Sequence, residues 1–356
     1  MKKFFLILDL FADAATLENA TGNYINGYTG EMTAFTDDHT LTPTMKTFYD
    51  TELLENARDE LIFVQLGRKQ GLPARHGKTI EWRKWDTLPD LSELTEGVIP
   101  TGEKMGMKSI NVSLAQYGEY VAVTDQLQLH ALDDVIAGAI EEIGAAGGRT
   151  YDKLTRNVLA AASNILFADA YDGSTLYATP TSKADLLSKM GSYTCNLTPD
   201  MINKAATNLQ VGKAPTFQGG MYVAIVHPHV AYDLRKHPDW NDAHKYAQPQ
   251  EIYKGEIGEL HGVRFIVSNN APIIKAAGDT AATYKTIFLG KDAFGVVDPE
   301  GAGLETIVKD KSQVGGPLNQ FSTIGAKGEF AAKILYPERI CIVWSGSSYS
   351  GTDTAN

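Results

Sequence analysis

Apolar positions along the chain change period several times, and each change marks an element. From Lys46 to Leu66, the residues Phe48, Leu53 or Leu54, Ala57, Leu61 and Val64 recur at steps close to a helical turn. Gly67 is a natural stop. Period two then takes over in Lys78-Thr-Ile-Glu-Trp-Arg-Lys-Trp-Asp86, which puts Ile80 and Trp82 on one face and Glu81, Arg83 and Trp85 on the other. A second alternating run, Lys108-Ser-Ile-Asn-Val-Ser-Leu114, groups Ile110, Val112 and Leu114. Tyr117 to Thr124 is a further short strand. Ile136, Ile140, Ile143, Gly147, Tyr151, Leu154, Val158, Ala161 and Ile165 then form one stripe. It predicts a helix over 133–168, on the order of 45–50 Å long at 1.5 Å per residue. Asp133 or Asp134 caps its start. Gly144, Gly147 and Gly148 each cost up to about 1 kcal/mol relative to Ala inside a helix, and mark a bend or a close crossing.

Beyond Asp169 the chain is polar and loop-like to about Cys195. Thr198 and Pro199 then fit the N-cap and first position of a helix. Met221 to Val226 reads as a buried strand, and Pro228 opens a helix running to about Lys236. Val263 to Val267, Thr286 to Leu289 and Phe294 to Val297 are short strands, so 197–323 is expected to be a mixed α/β domain. Phe330 to Leu335 and Arg339 to Trp344 are closing strands bent at Tyr336-Pro337, because Pro is disfavoured inside a paired strand. The tail, 346–356, is small, polar and expected to be flexible.

The link between the two alternating runs changes the picture most. It carries Pro89, Gly97, Pro100, Gly102 and Gly106, yet also Leu88, Leu91, Leu94, Val98, Ile99, Met105 and Met107. Structureless loops beyond about 12–15 residues are uncommon in compact domains, and this one is too apolar for a solvated linker. A lone two-stranded ribbon is marginal in water. The expectation is a long hairpin arm whose apolar side chains are buried against another subunit; the competing reading is a flap over the chain's own core.

The amino terminus, Lys2-Lys3 followed by Phe4 to Leu8, has the outline of a secretory leader, but Asp9 interrupts the apolar run. It is read as an apolar docking arm, and Leu17 to Pro43, rich in Thr, Asn, Gly and Asp, as an extended linker. No segment has the ~18 apolar residues of a membrane span. The net charge of −11 argues against a protein that works by gripping phosphates. Two cysteines, Cys195 and Cys341, make no disulfide framework and point to reducing surroundings.

Candidate chemistry is sparse. His227-Pro-His229, with Asp233, His237, His244 and His261 nearby, is the one metal-like cluster, since neutral imidazole binds zinc. Pro228 is expected to send the two rings in different directions, and no third ligand stands at a recognised spacing. Capping and surface roles fit these histidines better. No nucleophile elbow or phosphate loop is present in the sequence. Arg68, Lys69, Arg75, Lys78, Arg83 and Lys84, interleaved with Trp82 and Trp85, resemble a single-strand stacking patch. Glu81, Asp86, Asp90, Glu93 and Glu96 largely cancel that charge, so an intersubunit salt-bridge zone is the better reading.

Several blocks in order resemble the tailed-bacteriophage major capsid protein family. They are Phe48-Tyr-Asp-Thr-Glu-Leu-Leu-Glu-Asn-Ala-Arg58, Gly77-Lys-Thr-Ile-Glu-Trp-Arg83, Leu94-Thr-Glu-Gly-Val98, Ala115-Gln-Tyr-Gly-Glu-Tyr-Val121 and Phe330-Ala-Ala-Lys-Ile-Leu-Tyr-Pro-Glu-Arg-Ile340. The resemblance implies an α+β fold of the Hong Kong 97-like coat-protein type. Residues 1–45 would be an N-terminal arm, 74–115 an extended hairpin (the E-loop), and 46–73 with 116–196 a peripheral domain with the spine helix at 133–168. An axial domain would take 197–323, and 324–345 would return to the peripheral domain. The implied function is a non-enzymatic shell subunit without cofactor or metal, forming hexamers and pentamers of itself around double-stranded DNA that it does not bind specifically. Scaffold, portal and decoration proteins are possible partners, and assembly would take place in the host bacterial cytoplasm. Expected intersubunit contacts are Trp82, Arg83, Trp85, Leu88, Leu91, Leu94, Val98, Ile99, Met105 and Met107. The competing readings are a metal-dependent hydrolase built on His227 to His261 and a secreted surface-layer subunit.

Overall fold

The computed structural model describes residues 61–73, 77–86, 88, 90, 91, 93, 102–130, 135–238, 240, 258–279, 281–299, 303–314 and 318–356. Most of the expected helix at 46–66, the arm at 1–45 and the caps Asp133 and Asp134 lie outside these residues. In chain order the first elements are β1 (Arg68–Leu72), β2 (Thr79–Trp85), β3 (Met107–Ser113), β4 (Ala115–Thr124), α1 (Asp125–His130) and α2 (Val135–Ala160). Then come β5 (Ile165–Phe167), β6 (Ala170–Asp172), β7 (Thr175–Ala178), α3 (Lys183–Met190), α4 (Pro199–Val211), β8 (Tyr222–Val226) and α5 (Pro228–Lys236). The remainder are β9 (Glu259–Leu260), β10 (Val263–Val267), β11 (Ile273–Ile274), β12 (Thr283–Leu289), β13 (Phe294–Pro299), β14 (Glu305–Lys309), α6 (Lys311–Val314), β15 (Phe321–Ile334) and β16 (Ile340–Ser345).

The chain forms two compact units. In the smaller, 118–145 with 304–327, β14 runs antiparallel to the first half of β15, Glu305 opposite Lys327 and Lys309 opposite Thr323. Its core joins Val123, Ile140, Ile143, Ile324 and Ala326. Ile136, Ile140 and Ile143 thus occupy the helix face that their spacing predicts.

The larger unit, 57–117 with 146–303 and 328–356, is organised by a sheet of order β5-β16-β12-β8-β10-β9, with β11 on β12. Every residue of β8, β12 and β16 is buried, which is why β8 and most of β16 read as continuous apolar runs rather than alternating ones; β12 buries Thr283, Lys285 and Thr286 among its apolar residues. Alternation survives in what each face meets. Tyr222, Ala224, Val226, Phe288, Cys341 and Val343 join a core with Ile202, Leu209, Val230 and Leu234 from α4 and α5. Ile225, Ile287, Leu289, Ile340 and Ile342 join a second core with Phe63, Leu159, Leu186, Phe294 and Phe330. Thr198 caps α4 by accepting the Met201 N–H, with Pro199 in the first turn, as the sequence predicts.

Several expectations need correction, among them the loop-like reading of 169–195, a stretch that holds β6, β7 and α3. The long helix ends at Ala160, not near 168. The Lys285 ammonium donates to the Ala160 carbonyl at 2.8 Å, satisfying an orphan acceptor of the last turn. Ile165 then pairs with Ile342 as a strand, so its place in the helical stripe is a coincidence of spacing. On the same helix the buried face also carries Asp152, Thr155 and Arg156, beside rather than on the apolar stripe. Asp152 accepts the N–H groups of Ile62 and Phe63 at 2.9 and 2.6 Å and the Asn270 amide at 2.7 Å. The closing strands lie in different sheets. The second half of β15 pairs with β13, whereas β16 lies between β5 and β12.

The tail needs correction as well. Residues 346–356 form a strap fastened along its length, not a flexible end. Ser348 donates through its backbone to Asp233 at 2.9 Å, and its hydroxyl bonds the same carboxylate. Asp353 accepts from the Tyr284 hydroxyl at 2.6 Å and meets the His229 ring at 2.6 Å. Asn356 accepts the Ile273 N–H at 3.0 Å and donates to Ala271 at 3.1 Å. Small polar residues look mobile when counted by composition, but here their hydroxyls and amides find partners on the body of the unit.

Candidate assembly interface

Strands β2 and β3 form an antiparallel ladder in unbroken register, from Thr79 opposite Ser113 to Trp85 opposite Met107. The Asp86 N–H bonds the Gly106 carbonyl at 2.9 Å, so the pairing runs one step past the strands. The described residues that follow it, among them Leu88, Leu91 and Met105, lie past the last paired step.

The two faces of the ribbon differ as the period-two pattern requires. Ile80 and Trp82 pack with Leu114, Val297, Ala331 and Leu335, with Ile110, Val112 and Tyr336 at the margin. Gly295 makes this fit possible: a Cβ there would lie 2.8 Å from the Trp82 ring. Trp82 is only 9% exposed, and its indole N–H has no hydrogen-bond partner among the described residues. It anchors the hairpin to its own chain, a correction to its expected role as an intersubunit contact. The reason is its phase: Trp82 lies on the inward face and Trp85 on the outward one. Sequence reasoning missed the anchors Ile110 and Tyr336, although Ile110 carries the same alternation.

Farther out, the apolar side chains are uncovered. Trp85 is 58% exposed, Leu88 50%, Met105 58%, Met107 45%, and Leu91 stands fully in solvent. Arg83 is exposed as well. Leu94, Val98 and Ile99 lie outside the described residues.

Charges brace the foot of the ribbon. Lys84 bonds Glu338 at 2.7 Å and lies 4.3 Å above the Tyr336 ring, which Arg339 also approaches at 3.8 Å. Burial by itself would raise the Glu338 pKa, but the hydrogen bond from Lys84, a backbone hydrogen bond and the charges of Lys84 and Arg339 together outweigh it and hold the carboxyl below its ordinary value. Arg83 meets Glu81 at 3.3 Å and Lys108 meets Asp86 at 3.1 Å. Arg75 lies outside the described residues.

The histidine cluster serves structure. His227 caps α5, its ring nitrogen accepting the His229 N–H at 3.2 Å. Burial first, then the neighbouring His229, lower its pKa to about 4, keeping the ring neutral and able to accept. The two rings are in edge contact, centroids 4.6 Å apart, rather than pointing in different directions as expected. The turn at Pro228 brings them together, and Tyr284 and Asp353 engage His229. Among the described residues no group of three or more ligating side chains is arranged for a metal; His244 lies outside them.

The architecture is that of phage capsid subunits. It is similar to the cyanophage Pam1 capsid (TM-score 0.60, 14% identity, covering 91% of this chain and 97% of that one). It is also similar to the capsid of the Ralstonia phage GP4 (0.58, 13%, 80% and 87%) and that of the cyanophage P-SCSP1u (0.57, 14%, 90% and 92%). At these identities the likeness establishes the α+β, Hong Kong 97-like fold. No curated protein sequence matches the chain. A family model described as phage capsid protein matches residues 107–344, well over half of the sequence. The chain therefore belongs to the phage capsid protein family, as a structural component of the virion and not an enzyme.

Proposed function

We propose that this subunit builds the icosahedral head of a tailed double-stranded DNA phage, as hexamers and pentamers of itself, in the host cytoplasm. Residues 74–115 act as the E-loop and 1–45 as an arm, both overlapping neighbouring subunits. The peripheral domain is drawn from 46–73 and 116–196 and the axial domain from 197–323. The carrying observation is the ribbon whose foot is locked to its own chain while Trp85, Leu88, Leu91, Met105 and Met107 are left uncovered at its outer end. Leu94, Val98 and Ile99 extend the same apolar set in sequence.

Fully burying such side chains is worth about 1.5–3 kcal/mol each, partly offset by the entropy of association. Summed over a closed shell, modest contacts of this kind hold a particle together. The net charge of −11 suits a container that encloses DNA without gripping it. Scaffold, portal and decoration proteins would be its further partners.

Deleting 88–106 tests the assignment. The expected product is a folded, soluble subunit with native circular dichroism that yields no particles by negative-stain electron microscopy. Normal particles from that deletion would refute the role given to the ribbon.

A further inference from the structure

The long helix α2 carries two buried charged side chains one turn apart, Asp152 (1% exposed) and Arg156 (4%). The Asn270 amide bridges them. Its nitrogen donates to the Asp152 carboxylate at 2.7 Å, and its oxygen accepts from the Arg156 guanidinium at 3.0 Å. Turned over, the amide would set oxygen against carboxylate and N–H against guanidinium. The two bonds are therefore made and lost together, which gives the bridge the all-or-none character that coupling between distant segments requires.

Each member of the trio also holds a different part of the chain. Asp152 accepts the N–H groups of Ile62 and Phe63 at 2.9 and 2.6 Å. Arg156 donates to the Asn356 carbonyl at 3.0 Å. On either side of Asn270, the Asn356 amide donates to the Asn269 and Ala271 carbonyls at 3.4 and 3.1 Å and accepts the Ile273 N–H at 3.0 Å. The loop around Asn270 is thus gripped by the helix from one side and by the tail from the other.

We infer that Asp152, Asn270 and Arg156 form a relay coupling the hold on residues 61–63 to the hold on the tail, 346–356. Displacing Ile62 and Phe63 strips two donors from a buried carboxylate, and an underpaired buried charge is costly. Asn270 and Arg156 then follow the carboxylate and slacken their grip on Asn356. The tail lies over Asp233, Tyr284 and His229, so its release uncovers them. The relay works inside a single subunit; it goes beyond the shell reading and does not rest on it.

Hydrogen exchange on the full chain tests the coupling from both ends. Asn356→Ala changes an exposed residue that touches neither Asp152 nor residues 61–63. It is expected to speed exchange of the Ile62 and Phe63 amides about fivefold or more. Asn270→Ala is expected to speed exchange there and across 346–356 together. Swapping the side chains gives the sharper readout. Asp152→Asn alone sets N–H against N–H, and Asn270→Asp alone sets carboxylate against carboxylate, so each should loosen both ends. The double variant again pairs a donor with an acceptor at every position and keeps an oxygen toward Arg156. It is expected to return both exchange rates to within about twofold of the parent. Unchanged exchange at Ile62 and Phe63 in Asn356→Ala, or a double variant no better than either single one, would overturn the inference. The Asn356→Ala result decides the question even where a change in the buried trio prevents folding.

Discussion

Trp82 and Trp85 stand three positions apart on one strand and are expected to behave oppositely when truncated. Trp82→Ala removes a ring packed on Gly295, Val297 and Leu335. Large-to-small changes of this kind destabilise by about 3–5 kcal/mol. The indole N–H makes no hydrogen bond among the described residues, so the loss is one of packing. Trp85 is 58% exposed, and a Trp side chain brings about 150–250 Å² to a contact. Covering the exposed share withdraws about 90–145 Å², or about 2–3.5 kcal/mol at 25 cal/mol per Å². Trp85→Ala should therefore leave the isolated subunit within about 0.5 kcal/mol of the parent. The concentration needed for assembly should rise roughly 30- to 400-fold. Urea unfolding of dissociated subunits reads the first quantity, and light scattering against concentration the second. An unchanged urea midpoint for Trp82→Ala, or a destabilised subunit for Trp85→Ala, would refute the division of the strand into an anchoring face and a docking face.

Gly295→Val places branched carbon where a Cβ would already lie 2.8 Å from Trp82. It should destabilise the larger unit by about 1–3 kcal/mol and quench or shift tryptophan fluorescence; unchanged fluorescence and stability would count against the fit. The strap offers a pH test. Burial raises the Asp353 pKa, but hydrogen bonds from Ser350 and Tyr284 and the neighbouring His229 outweigh it, so the net shift is downward. A depressed carboxylate contributes stability that is complete above its unfolded value, near 4. That stability is lost as pH falls through the lower folded value. Acid should loosen residues 346–356 in hydrogen exchange, and Asp353→Asn should flatten that dependence; equal acid loosening in the variant would sink the linkage.

Much of this was legible in the sequence because it was local. Period two in β2 and β3 gave the hairpin and its two faces, and Thr198-Pro199 and Pro228 gave helix starts, because caps and pleats depend on neighbouring residues alone. What escaped was set at a distance. Ile165 satisfies the helical stripe, yet Ile342 claims it as a strand and Lys285 closes the helix at Ala160. Asp152 and Arg156 are buried although their type argues for solvent, because Asp152 finds amides ninety and more positions away. The tail reads as mobile until Asp233, Tyr284 and His229 are known to lie beneath it. At the interface, alternation separated Trp82 from Trp85, but which face met the chain's own body depended on Gly295, a residue that no pattern in the hairpin reveals.

The rigidity of the foot bears on why the outer end can remain uncovered. A flexible apolar loop would collapse onto its own subunit or onto any other exposed surface, and ordering it on binding would cost about 1–2 kcal/mol per residue in backbone entropy. Here seven paired positions, the packed Trp82 and the Lys84–Glu338 contact fix the ribbon before any partner arrives. Part of the ordering is thus complete in the free subunit, which leaves more of the apolar gain available to association. The same anchoring restrains Leu88 and Met105 from folding back on the parent chain. The acidic residues between the leucines oppose indiscriminate contact, since like-charged segments repel one another. Loosening the foot should therefore weaken assembly even when every outer side chain is retained. A Trp82→Ala subunit, studied below its unfolding midpoint, should assemble less well than its folded fraction alone accounts for. Assembly in proportion to folded fraction would show instead that the ribbon's rigidity is incidental.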